Sequence, residues 1–199
     1  MSKREHISQQ GIDPSLKFWF KGEEGRLIDE ISGNQIVVYN NGLQWSNDKQ
    51  AYLFINPASY TNKFVGLCNC DPQISTFDFT VTYYIMKNSS GTAFSPLSTY
   101  TYREGAISSG EVSWLSNNTW HKCLVVWETI GTTTYRKTYL DGVQKYNFSY
   151  QNAVYHAETQ VALNYVNNSY AYWSSFYCKD LKWYNRVFTP QEINDFFNN

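Results

Sequence analysis

Charge is scarce in this chain: Asp, Glu, Lys and Arg make up 17% of 199 residues and sum to a formal net charge of -1. That balance gives no electrostatic attraction to nucleic acid or to an anionic membrane, and neither is expected as a partner. No apolar run is long enough for a helical membrane span. Residues 1–10 lack the apolar h-region of a signal peptide, and with an initiator Met the expectation is synthesis in a cytoplasm. Histidine occurs three times, as His6, His121 and His156, and none has the Ser, Cys or Asp neighbourhood of a nucleophile triad. The four cysteines supply a single C-x-C, Cys68 and Cys70, too little for a zinc site without a second pair. Cys123 and Cys178 lie inside apolar stretches, where a reduced Cys acts as a small hydrophobe. Sequons at Asn88, Asn117, Asn147 and Asn167 are what an Asn- and Ser-rich chain produces by chance.

Aromatic residues are abundant instead, at 18%, with 17 Tyr, 12 Phe and 7 Trp. Aromatic enrichment favours strands over helices. Residues 1–15 read as a polar N-terminal arm ending at Asp13-Pro14, and residues 16–199 as one domain. Strand patterns occur at 16–20, 36–39, 51–55, 77–86, 120–128 and 160–164. Residues 77–86 turn apolar on both faces over their second half, which places that strand centrally; 120–128 is a second central candidate. Residues 135–148 read as a hairpin whose Asp141-Gly142 pair suits a two-residue turn with positive φ.

The last quarter is the most legible. Tyr177, Leu181 and Trp183 alternate with Cys178, Asp180, Lys182 and Tyr184, the period of a pleated strand with one apolar face. Thr189 then offers a helix N-cap, Pro190 fits the first helical position, and Glu192 completes a capping box. Ile193, Phe196 and Phe197 fall on one face of the short helix that follows. Many strands and one terminal helix make an all-β antiparallel sandwich.

Residues 179–193, from Lys179-Asp180-Leu181 through Tyr184-Asn185-Arg186 to Thr189-Pro190-Gln191-Glu192-Ile193, resemble the closing motif of laminin-G-like, concanavalin A-like jelly rolls. Lys182 stands where that motif usually has Arg, and Phe188 where it has Leu. Phe77-Asp78-Phe79-Thr80-Val81-Thr82 is similar to the family's F-T-hydrophobic strand. Trp120-His121-Lys122 with Tyr139-Leu140-Asp141-Gly142 resembles its W-H-x and Y-x-D-G pair, and Asp29 with Ser32-Gly33-Asn34 its early D-x-S-G-N turn. The resemblance implies the jelly-roll fold, but not one function, because the fold hosts lectins, adhesion modules, glycosidases and virion parts.

A retaining glycosidase needs two carboxylates about 5–5.5 Å apart. Concanavalin A-like glucanases supply them from one strand as E-x-D-x-x-E or E-x-D-x-E, a pattern missing here; Glu23-Glu24, Asp29-Glu30 and Asp78 fall in turns or stand alone. No catalytic activity and no cofactor are expected. The resemblance leaves a single structural calcium open, with Asp29, Asn34 and Asp180 as the residues to watch. Two segments combine aromatic and polar side chains as ligand-binding candidates: Tyr100, Tyr102 and Arg103 with Trp114 beyond, and Tyr170, Tyr172 and Trp173. Their rings either stack on sugar faces or cover the sandwich and contact a protein partner. The first expectation is a surface or decoration component of a bacteriophage virion, displayed on the particle and binding other protein subunits, host glycan, or both. A free-standing lectin or adhesion module is the alternative, and a divergent glycoside hydrolase the least favoured. A homo-oligomer fits either of the first two readings.

Overall fold

The structure is a computed structural model, and it describes residues 11–39, 41–55, 65–70, 77–88, 97–99, 112–152, 160–164 and 175–199. The described elements run β1 (Leu16–Phe20), β2 (Ile36–Val38), β3 (Leu43–Ser46), β4 (Ala51–Phe54), β5 (Gly66–Cys68), β6 (Phe79–Lys87), β7 (Leu97–Thr99), a 3-10 turn (Val112–Trp114), β8 (Trp120–Ile130), β9 (Thr133–Leu140), β10 (Val143–Gln151), β11 (Val161–Leu163), β12 (Phe176–Tyr184) and α1 (Pro190–Asn198). The strands form two antiparallel sheets. The larger has eight strands in the order β10-β9-β8-β6-β12-β4-β3, with β1 also paired to β12; the smaller has the order β2-β5-β11-β7. The chain is an antiparallel β-sandwich with one short C-terminal helix, as the sequence pattern predicts.

The inner faces of the sheets meet in one core. Phe18, Phe20, Phe54, Phe79, Tyr83 and Trp183 come from the large sheet, and Ile36, Cys68, Val161 and Leu163 from the small one. β6 is buried on both faces and lies between β8 and β12, the central place its apolar run predicts. Its outer face is covered by the segment that leads into α1. The Thr80 hydroxyl donates to the Arg186 carbonyl at 2.9 Å and accepts from the Phe188 N–H at 3.0 Å.

β12 differs from the expectation in one respect. Phe176 and Cys178 point inward in its first half, and Leu181 and Trp183 in its second, while Tyr177 faces outward. Tyr177 therefore does not share a face with Leu181 and Trp183. The cause is a bulge: the register with β6 shifts between Lys179 and Lys182, and Asp180 sits at φ 50°. Asp180 holds the bulge by accepting from Trp19 Nε1 at 2.8 Å and from Lys182 Nζ at 2.9 Å.

α1 starts as its sequence predicts. Glu192 N–H donates to Thr189 Oγ1, Thr189 N–H donates to Glu192 Oε2 at 2.8 Å, and Pro190 occupies the first turn. Arg186 ties this cap to the start of the domain, donating to Glu192 Oε2 at 2.8 Å, Asp13 Oδ2 at 2.6 Å and Ser15 Oγ at 2.8 Å. The bond to Arg186 and the Thr189 amide hold the Glu192 carboxyl down to about 2. At the other end Lys122 Nζ donates to the Phe196 and Phe197 carbonyls, which the helix itself leaves unpaired.

Candidate functional site

The Asp141-Gly142 turn, with φ 49° and 83°, reverses the chain into β10, which forms one edge of the large sheet. Alternation along β10 places Tyr146, Phe148 and Tyr150 on the inner face, opposite Thr138, Arg136 and Thr134 of β9. This end of the inner face is open. Phe148 is 45% and Tyr150 39% exposed, whereas Trp127, on β8 opposite Arg136, is only 9% exposed. The rings form a continuous strip. Tyr146 and Phe148 lie nearly parallel at 6.0 Å, Phe148 meets Tyr150 edge-on at 4.8 Å, and Tyr150 stacks on Trp127 at 5.7 Å. Trp127 in turn stacks on Phe77 at 5.2 Å, which anchors the strip in the core.

Beneath the strip lies Arg136, 5% exposed. Its guanidinium sits 5.2 Å from the Tyr146 ring and 6.0 Å from the Trp127 ring, within cation–π range of both. The guanidinium thus backs Tyr146 and Trp127, the two rings that flank the open Phe148 and Tyr150. The strip has no carboxylate, histidine or thiol among its described members. Its chemistry is contact: flat apolar faces next to polar edges, suited to stacking against an apolar surface that carries hydroxyls.

A second concavity lies on the outer face of the large sheet. It encloses about 270 Å³ between Val126 and Tyr139 on the sheet and Val187, Phe188, Pro190 and Ile193 at the start of α1. Glu128 and Lys137 line it and pair with each other at 2.8 Å. Its charged groups satisfy one another, so they offer little to orient a ligand.

The acidic and thiol groups singled out in the sequence have protein partners. Asp29 is fully buried, and its carboxylate accepts from the Trp19, Ile31 and Ser32 N–H groups and from the Ser32 hydroxyl. The Cys68 and Cys70 sulfurs and an Asp29 oxygen all lie within 4.8 Å of one another. The four donors already occupy the Asp29 lone pairs. The neighbouring Cys68 thiol and burial push the Cys70 thiol far above its ordinary value, so it stays protonated. The trio is two packed thiols beside a turn-forming carboxylate. Asn34 donates its side-chain amide to the Asn69 carbonyl. His121, 7% exposed, lies 2.6 Å from Asp141 through Nδ1 and accepts the Ser116 N–H at Nε2. The W-H-x and Y-x-D-G stations of the sequence are thus one hydrogen-bonded unit that fixes the hairpin to β8.

Of the ligand-binding candidates from the sequence, Tyr100, Tyr102, Arg103, Tyr170, Tyr172 and Trp173 lie outside the described residues. Trp114 ends the 3-10 turn, half-buried, and packs against the core cluster. The strip on β10 was not among those candidates. Its signal is the pattern Tyr146-x-Phe148-x-Tyr150 with Asn147 and Ser149 between and Gln151 after, which puts three rings on one face of a strand.

No protein-family model matches the sequence, and no curated protein matches it. Solved structures with the same fold include a botulinum neurotoxin serotype D binding domain, with a TM-score of 0.65 and 13% identity over 92% of this chain and 51% of that one. The receptor-binding domain of a botulinum neurotoxin C/D mosaic serotype gives 0.64 and 11% over 94% and 52%. A serotype D ligand-binding domain in complex with N-acetylneuraminic acid gives 0.62 and 12% over 92% and 50%. The chain spans about half the length of these domains. At such identities the likeness shows the fold, a jelly-roll-like β-sandwich. None of these similarities points to a virion.

Proposed function

We propose that the chain is a non-catalytic carbohydrate-binding module on a laminin-G-like sandwich, with the open inner face at β10 as its glycan platform. One observation carries this reading: three aromatic rings in register on an edge strand, two of them more than a third exposed and the third, Tyr146, set over a buried guanidinium. Sugar rings have apolar C–H faces and hydroxyl edges, which aromatic faces flanked by Asn, Ser and Gln complement. The neighbour solved with N-acetylneuraminic acid makes sialylated glycans one class to test. This reading favours the lectin alternative over the virion component. Tyr102, Tyr172 and Trp173, outside the described residues, stand as secondary candidates on their sequence pattern alone.

A glycan array probed with the full chain tests it. Binding to a defined set of glycans, weakened in Phe148→Ala and Tyr146→Ala at unchanged melting temperature, is the expected result. A blank array, or binding that both substitutions leave intact, refutes the platform.

A further inference from the structure

β10 closes one edge of the large sheet, and among the described residues no strand pairs with its outer side. Natural edge strands of this length usually carry a device against strand addition: lysines, a proline, an inward charge or a bulge. Here the one bulge lies between Gln144 and Tyr146, and the one charged residue, Lys145, sits inside it. From Tyr146 to Gln151 the register with β9 is regular. The sequence there is Tyr-Asn-Phe-Ser-Tyr-Gln, without charge, proline or glycine, the composition that pairs most readily with another strand. In its own sequence this half of β10 carries none of those devices.

We propose that β10 is the seam of a homodimer, two copies pairing their β10 strands antiparallel about a twofold axis at Phe148. The axis position follows from the side chains. Centred there, Phe148 faces its own counterpart, and Tyr146 faces Tyr150 of the second copy, so every ring on the inner face meets a ring. On the outer face Asn147 faces Ser149, and Lys145 faces Gln151, so no like charges meet. Moving the axis by one residue sets Tyr150 against Gln144, or Tyr146 against Asn152, and loses this match. The dimer joins the two large sheets into one and doubles the aromatic strip. It does not depend on the glycan reading, since the backbone edge and the pattern of side chains carry it.

The register makes the test specific. Asn147 and Ser149 are both exposed on the outer face, and Asn147→Lys, which faces Lys137 of β9, is common to both variants, so matching melting temperatures of the two variants isolate the effect at the seam. Asn147→Lys/Ser149→Lys sets like charges across the seam at two places. Asn147→Lys/Ser149→Glu sets opposite charges at the same two places. Sedimentation equilibrium of the full chain should give a dimer for the wild type and the Lys/Glu variant, and a monomer for the Lys/Lys variant. A wild type that stays monomeric up to about 1 mM overturns the proposal. So does a dimer that both variants affect equally. Glycan binding per protomer, measured on the same samples, separates failure of the dimer from failure of the platform.

Discussion

Replacing Asp29 separates a structural carboxylate from one kept for chemistry. The side chain is fully buried, and four donors converge on it: the Trp19 and Ile31 N–H groups on Oδ1, and the Ser32 N–H and hydroxyl on Oδ2. In Asp29→Asn the amide has to place its NH₂ toward one of these pairs. Facing Ser32 is the cheaper choice, because Ser32 is exposed; its hydroxyl can turn to accept and its N–H can find water. The other two bonds persist but lose the charge assistance that roughly doubles their strength. We expect Asp29→Asn to cost about 2 kcal/mol. Asp29→Ala also strands the Trp19 N–H beside β12, and should cost about 4 kcal/mol, a large share of the roughly 5–15 kcal/mol that holds a domain together. Urea unfolding followed by Trp fluorescence measures both. The order Ala worse than Asn, with no change on adding EDTA to the wild type, is the expected outcome. Equal stability of Asp29→Asn and wild type would refute the hydrogen-bond account, and a wild type destabilised by EDTA would return Asp29 to the list of metal ligands.

Three further outcomes are expected. The Glu192 carboxyl is held down to about 2 by Arg186 and by the Thr189 amide, so its folded value lies below the unfolded one. Its stabilisation is therefore complete above about pH 4.5 and fades as the pH falls toward 2; because the pair is more than a third exposed, the loss should be on the order of 1 kcal/mol. Acid titration of the melting temperature should show that loss, and Arg186→Met should remove most of it. Thr189→Ala removes the N-cap of α1 and should cost about 1 kcal/mol in the same unfolding assay, whereas Thr189→Ser should be close to neutral. In the glycan assay, Trp173→Ala and Tyr102→Ala should weaken binding less than Phe148→Ala; the reverse order would move the site to those residues.

Much of the fold was legible because burial imposes a period. The central strand at 77–86 announced itself by being apolar on both faces over its second half, and the Asp141-Gly142 turn by its need for positive φ. The capping box was readable because its three residues act over one turn. Three features escaped. β3 (Leu-Gln-Trp-Ser), β5 (Gly-Leu-Cys) and β7 (Leu-Ser-Thr) lack the unbroken apolar run that marks β2, β4 and β11. The bulge at Asp180 exchanges inner and outer faces in the middle of β12, and straight alternation through it assigns Tyr177 to the wrong side. The aromatic strip was hidden because an edge strand and a central strand can carry the same alternation. Only the sheet order shows that Tyr146, Phe148 and Tyr150 lie where the small sheet does not cover them.

The central claim is that the β10 strip is a carbohydrate platform. Isothermal titration of the best array glycan into the wild type and into Phe148→Ala tests it most directly. The account predicts saturable binding that weakens by about tenfold or more, roughly 1.4 kcal/mol, when the Phe148 ring is removed, with the melting temperature unchanged. Equal affinities in the two proteins would contradict it.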